Sequence, residues 1–156
     1  MSGHCGKEQV HEVLRVAAAA WKLRLCRSEG DYFGHLYDMV AAAHKRECDV
    51  LVLPELTVLE MLTIVPDLEE HDVPAYLVQY AEGFEEWLVR IATSSEITIV
   101  GGSHFKRVAG GIANVCATAS PDGRIVFNAK NKLTSYERDF WRLVPGTGLD
   151  RKSTRL

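Results

Sequence analysis

Asp49 to Leu56 reads DVLVLPEL: four apolar residues run straight into Pro54, and a carboxylate, Glu55, follows at once. Proline offers no N–H to a strand ladder, so it closes the apolar run. Val50 to Leu53 is therefore predicted to be a short buried strand. Glu55 stands just past its carboxyl end, where ligand crevices open in α/β sheets. A charge beside an apolar strand costs free energy unless it has a partner or a task. Read alone, Glu55 suits equally a cap on the following turn or a partner for a surface lysine.

The surrounding chain reads as alternating strands and helices. Leu14 to Trp21 (LRVAAAAW) is predicted as the first strand, although its alanines also suit a helix. Phe33, Leu36, Tyr37, Val40 and Ala41 recur at helical spacing and predict an amphipathic helix over Gly30 to Arg46. Thr57 to Asp72 contains Pro66 and an acidic cluster and reads as a loop with a helical turn. Leu77, Tyr80, Ala81, Phe84, Leu88 and Ile91 share one helical face, which predicts a single helix from Pro74 to Thr93. Pro74 suits its first turn, where an N–H is not needed. Ile97 to Val100 follows as a third strand, closed by Gly101-Gly102. Ala113 to Ala119 is the fourth, and Pro121-Asp122-Gly123 turns the chain into a fifth over Arg124 to Asn128. The order β-α-β-α-β-β-β specifies an α/β fold, a sheet covered by helices.

The bulk numbers exclude several classes. The chain has 156 residues, 47% hydrophobic and 25% charged, which is the size and balance of one globular domain. A formal charge of −3 with scattered lysines and arginines gives no electrostatic case for nucleic acid or an anionic membrane. No apolar run approaches the ~20 residues of a membrane span. The polar opening MSGHCGKEQVHEV carries no apolar signal core, so residues 1–12 are expected to be a disordered N-terminus in a cytoplasmic protein. Cys5, Cys26, Cys48 and Cys116 form no CxxC pair and match no zinc spacing, and free thiols are expected. His4, Cys5 and His11 fall in the N-terminal tail and are not read as a metal site; no cofactor is implied. Gly101-Gly102 and Gly110-Gly111 lack the context of a phosphate-binding loop, which removes the nucleotide-binding reading.

The second segment that stands out is GRIVFNAKNKLTSYERDFW. Lys130 ends a strand-like run, and Glu137 follows at a turn or helix start. Taken alone, Lys130, Lys132, Glu137 and Arg138 read as a solvated edge. Together with PEL, IVGGSHF and NVCATASPDGRIV, in that order, this segment resembles the nitrilase, or carbon–nitrogen hydrolase, superfamily, in its amidase-like branch. The resemblance runs from Val13 to Gly146. It implies an α-β-β-α sandwich of which residues 13–149 form roughly the N-terminal half. It also implies hydrolysis of a small-molecule amide or nitrile by a Glu-Lys-Cys triad, and a homo-oligomer in the full-length form.

By that pattern Glu55 matches the general base, Lys130 the oxyanion-stabilising lysine and Glu137 an auxiliary glutamate. Lys132 stands where many members have histidine and Ser135 where proline is common. Lys132 therefore remains a rival to Lys130, although counting from the Asp122-Gly123 turn favours Lys130. The nucleophile is the missing part: in the family it follows the lysine by a few dozen residues, and this chain ends at Leu156. Cys116 lies upstream of the lysine, mid-strand, and is expected to be a buried and inert thiol. After Gly148-Leu149 the sequence becomes DRKSTRL. Residues 150–156 resemble the translation of a sequencing-adapter oligonucleotide and are expected to be an artefactual tail on a truncated, inactive chain. A non-catalytic α/β fragment that binds a protein partner through an exposed sheet is the alternative. The two readings separate on whether Glu55 and Lys130 converge.

Overall fold

The computed structural model describes residues 13–147; the N-terminal stretch 1–12 and the tail 150–156 singled out above lie outside the described residues. Six strands form one sheet: β1 (Val16–Ala18), β2 (Val50–Val52), β3 (Thr98–Val100), β4 (His104–Val108), β5 (Gly111–Ala119) and β6 (Ile125–Ala129). β1, β2 and β3 are parallel, in the order in which the chain lays them down. β5 is antiparallel to its neighbours: one edge pairs first with β4 and then with β3, and the other edge pairs with β6.

Register divides the sheet into two unlike faces. Leu51, Ile99, Ala117 and Ala119 lie on one side and are at most 2% exposed. Helix α1 (Glu29–His44) and helix α3 (Ala81–Ser95) pack there, through Leu36, Val40, Phe84, Leu88 and Ala92. On the other side Val50, Val52, Thr98, Val100 and Thr118 are half-buried, and Val16 and Val126 are more than half exposed. This is a mixed α/β layer with helices over one face of the sheet.

Several elements differ from the sequence-based expectation, each for a tertiary reason. β1 is three residues rather than the predicted eight-residue run. β4 was not predicted, because its residues toward the helices are polar. His104 and Lys106 both reach Glu85 on α3, at 2.8 and 2.6 Å. The predicted helix over Pro74 to Thr93 is broken into α2 (Val73–Leu77), a 3₁₀ turn (Val78–Tyr80) and α3. At the break the Gln79 side chain donates to the Tyr76 carbonyl at 2.7 Å, competing for the acceptor that a continuous helix gives to Tyr80. Thr57 to Asp72 is more ordered than a loop, with 3₁₀ segments at Thr57–Ile64 and Glu70–Asp72.

The buried stripe of α1 is also rotated from the predicted one. Tyr32, His35, Leu36, Val40 and Ala43 face inward, while Tyr37 is 56% exposed. His35 is turned in by Glu60 of the Thr57–Ile64 segment. Its Nδ1 lies 2.9 and 3.0 Å from the two carboxylate oxygens, and both residues are at most 3% exposed. Glu60 also accepts from the Arg24 backbone N–H at 3.2 Å and the Cys26 thiol at 3.5 Å, and Trp21 stacks on the imidazole at 3.9 Å. Tyr32 and Thr57 share a buried hydroxyl hydrogen bond at 3.0 Å. The segment that follows Glu55 is thereby fastened to α1.

Candidate active site

Glu55 owes its position to the end of β2. Leu53 extends the ladder by donating to the Val100 carbonyl at 2.9 Å, and Pro54 then stops it. Leu56 takes the left-handed conformation (φ 52°, ψ 43°), which costs a non-glycine residue about 1–3 kcal/mol. Its N–H is held by the Ser103 hydroxyl at 3.2 Å. Across from it Gly102, at φ 67°, runs so close that a Cβ there would fall 1.9 Å from the Pro54 carbonyl oxygen. The turn bearing Glu55 is wedged between the end of β3 and the Thr57–Ile64 segment.

Lys130 follows β6. Its backbone N–H donates to the Asn114 carbonyl at 2.8 Å and its carbonyl accepts from Gly146 at 3.0 Å. Glu137 lies in a π-helical turn (Tyr136–Phe140) started by Thr134-Ser135-Tyr136-Glu137. The Thr134 N–H and hydroxyl both donate to Glu137 Oε2 at 2.9 Å, and the Glu137 N–H donates to the Thr134 hydroxyl at 3.2 Å. These are the reciprocal bonds of a capping box, which the threonine–glutamate spacing favours.

The three side chains meet. Lys130 Nζ donates to Glu55 Oε1 at 2.9 Å and to Glu137 Oε1 at 3.0 Å. A fourth residue joins them: Asn114 Nδ2 donates to Glu55 Oε1 at 2.8 Å and Glu137 Oε1 at 3.0 Å. Lys132 is exposed, and among the described residues it takes no part in this cluster.

The two carboxylates sit in different settings. The Glu137 side chain is 6% exposed and that of Glu55 is 55% exposed. Burial opposes ionisation of Glu137, but the Thr134 N–H, the Asn114 amide and the Lys130 ammonium outweigh it, and its pKa falls from 4.5 to about 2. Burial pulls Lys130 down, but its bonds to Glu55 and Glu137 win and hold it above its ordinary value. The cluster is thus an ammonium between carboxylates, with Glu137 ionised throughout the working pH range. Among the described residues Glu55 Oε2 accepts no hydrogen bond.

A cavity of about 420 Å³ opens beside this cluster, lined by Glu55, Gly102, Ser103, Asn114, Cys116 and Lys130 among others. Cys116 is half-buried, not buried as expected. β5 alternates, and Cys116 shares with Asn114 the face turned away from α1 and α3. Desolvation still raises its thiol pKa. Cys26 is buried, and desolvation together with the Glu60 carboxylate pushes its thiol up to about 11. Cys48 sits by the amino end of β2, at the opposite end of the strand from Glu55.

Sequence reasoning missed Asn114, which reads as one more residue of a strand. Its signal is a polar side chain inside the apolar run ANVCATA, on the side opposite the buried Ala113, Val115 and Ala117. The buried His35–Glu60 pair was missed as well, for want of any local signal. Among the described residues no cluster of metal-ligating side chains occurs, and no helix is long and apolar enough to cross a membrane.

Comparison with known proteins supplies the wider setting. No family model matches the chain. It is 22% identical over 133 residues to "Probable hydrolase YhcX" of Bacillus subtilis (strain 168), covering 85% of this chain and 26% of that protein. Among solved structures it is similar to a carbon–nitrogen hydrolase from Helicobacter pylori G27, at 18% identity and a TM-score of 0.66, covering 86% of this chain and 45% of that one. The amidase from Nesterenkonia sp. AN1 is similar too. Its complex with butyramide, in a variant whose cysteine is replaced by alanine, matches at 20% identity and a TM-score of 0.64, over 86% of this chain and 49% of that one. A second variant of it, carrying acrylamide added to its active site cysteine, matches at 18% identity and a TM-score of 0.63, over 87% and 51%. The chain spans about half the length of these structural relatives. Residues 13–147 therefore carry the fold of the carbon–nitrogen hydrolases of the nitrilase superfamily, over part of its length.

Proposed function

We propose that this chain belongs to a carbon–nitrogen hydrolase of the amidase-like branch and supplies the base and oxyanion side of its site, acting on a small linear amide. The observation that carries this reading is the unequal treatment of two carboxylates on one ammonium. Glu137 has both oxygens committed, to Asn114 and Lys130 on one side and to Thr134 on the other. Glu55 has one oxygen committed and one without a partner among the described residues, beside a cavity that it lines. A general base needs a reachable oxygen, and a structural anion does not.

In this proposal Glu55 takes the proton of a cysteine thiol as the sulfur forms its bond to the amide carbon. The carbonyl π pair moves onto oxygen, and Lys130 receives the oxyanion. Its ammonium has three N–H groups; one points to Glu55 and one to Glu137, which leaves one for the substrate. Collapse of the tetrahedral adduct breaks the C–N bond, and Glu55 returns the proton to the departing nitrogen. Water, deprotonated by Glu55, then attacks the thioester, releasing the acid and restoring the thiol. Glu137 holds Lys130 in place and does not exchange a proton, since it stays ionised down to about pH 2.

The nucleophile is assigned to a cysteine outside these 156 residues. Cys116 lines the cavity, but its thiol is raised, and Glu55 is not among its hydrogen-bond partners. The test compares this chain with a reading frame extended through a further cysteine-bearing segment, each incubated with linear aliphatic amides. The expected result is ammonia release by the extended protein alone, lost in Glu55→Gln and Lys130→Ala. Turnover by the 156-residue chain that disappears in Cys116→Ala overturns this assignment of the nucleophile.

A further inference from the structure

Asn114 is 1% exposed, and its single amide nitrogen reaches two carboxylates from two different parts of the fold. Glu55 comes from the turn after β2 and Glu137 from the π-helical turn, and each has its own bond to Lys130. Like charges gathered around one ammonium repel, and the geometry of such a cluster drifts unless something fixes their separation. The two hydrogens of an amide nitrogen diverge at a set angle, so one hydrogen per carboxylate sets that separation. The amide oxygen is buried and has no partner among the described residues, which is costly for a buried acceptor. That cost is outweighed only if the orientation matters, because a flip would turn the oxygen onto both carboxylates.

We propose that Asn114 is the positioning residue of the cluster, a bidentate clamp that holds Glu55 and Glu137 at one spacing about Lys130. The role of the clamp in turnover rests on the reading of Glu55 as general base; the clamp itself does not. β5 is suited to carry it. Asn114 is paired in register with Phe105 of β4 on one edge, while its carbonyl holds Lys130 on the other, so its backbone cannot shift without moving Lys130. Asn114 also contributes directly to the low pKa of Glu137.

The experiment follows the Asn114 side-chain amide resonances by NMR in the 156-residue chain. In the unsubstituted protein both amide protons are expected to lie downfield and to shift as the carboxylates are protonated. Glu55→Gln is expected to move one of the two protons and Glu137→Gln the other. An amide proton that responds to neither substitution overturns the clamp. In a folded Asn114→Ala variant, and in the isosteric Asn114→Asp, the titration midpoint of Glu137 is expected to rise from about 2 by about one unit or more; an unmoved midpoint also overturns it. In the extended protein Asn114→Ala should lower kcat more than it raises KM. If the NMR results hold and kcat is unchanged, the clamp stands and the role given to Glu55 falls.

Discussion

Glu55 and Glu137 are bridged twice, by the Lys130 ammonium and by the Asn114 amide, and Glu55 alone of the two keeps an oxygen without a partner among the described residues. Their separation in sequence explains how the two acquire different chemistry. Glu55 stands at the exposed end of a strand, while Glu137 is folded into its own capping box before it meets the lysine. One carboxylate is spent on structure and the other is left available.

On the proposed mechanism, replacing Lys130 with Met removes the charge assigned to the developing oxyanion while keeping the bulk of the side chain. Loss of one such donor typically lowers kcat about 10²- to 10³-fold. Steady-state kinetics of the extended protein measure it. A rise confined to KM would show that Lys130 serves substrate binding alone.

Glu137 makes stability depend on acid. Its folded-state pKa of about 2 lies below the ordinary 4.5, so folding favours its ionised form. The stabilisation is fully present above about pH 4.5 and is lost as the pH falls from there toward about 2. Thermal melts across that window should show a steeper decline for the unsubstituted chain than for Glu137→Gln. Parallel curves would show that Glu137 titrates alike in the folded and unfolded chain.

His35→Ala should strand the Glu60 carboxylate where almost no solvent reaches it. Breaking such a buried pair from one side costs about 3–5 kcal/mol. The double replacement His35→Leu with Glu60→Met, which removes both polar partners, should cost less than His35→Ala alone. Urea unfolding reads both. A double replacement that costs as much as His35→Ala or more would mean that the two side chains are not energetically coupled.

The thiols should react in an order set by burial. Cys116, half-buried beside the cavity, should be alkylated by iodoacetamide at pH 8 before Cys26, whose thiol is buried and pushed up to about 11. Peptide mapping at successive times identifies the site. Faster labelling of Cys26 would mean that the Arg24–Cys26 segment opens readily.

The parts of this fold that are legible in sequence are those whose cause is local. The run at Val50 to Val52, the body of α1 and the β5–β6 hairpin about Pro121-Asp122-Gly123 all follow from periodicity and turn chemistry. β4 was not legible, because His104 and Lys106 belong on a buried face only when Glu85 is there to receive them. The same holds for His35, whose inward turn depends on Glu60. At the site, the order of motifs singled out Glu55, Lys130 and Glu137 as candidates. Asn114 escaped, since its importance lies in reaching two residues that the sequence keeps far apart.

The contact between Gly102 and the Pro54 carbonyl bears on how this site can vary. It is backbone against backbone, so no exchange of neighbouring side chains makes room for even a methyl group there. The wall formed by the ends of β2 and β3 is therefore closed to mutational exploration. On the proposed function, a change in the amide accepted, whether by natural drift or in a designed library, has to come from other lining positions such as Cys116 and Asn128.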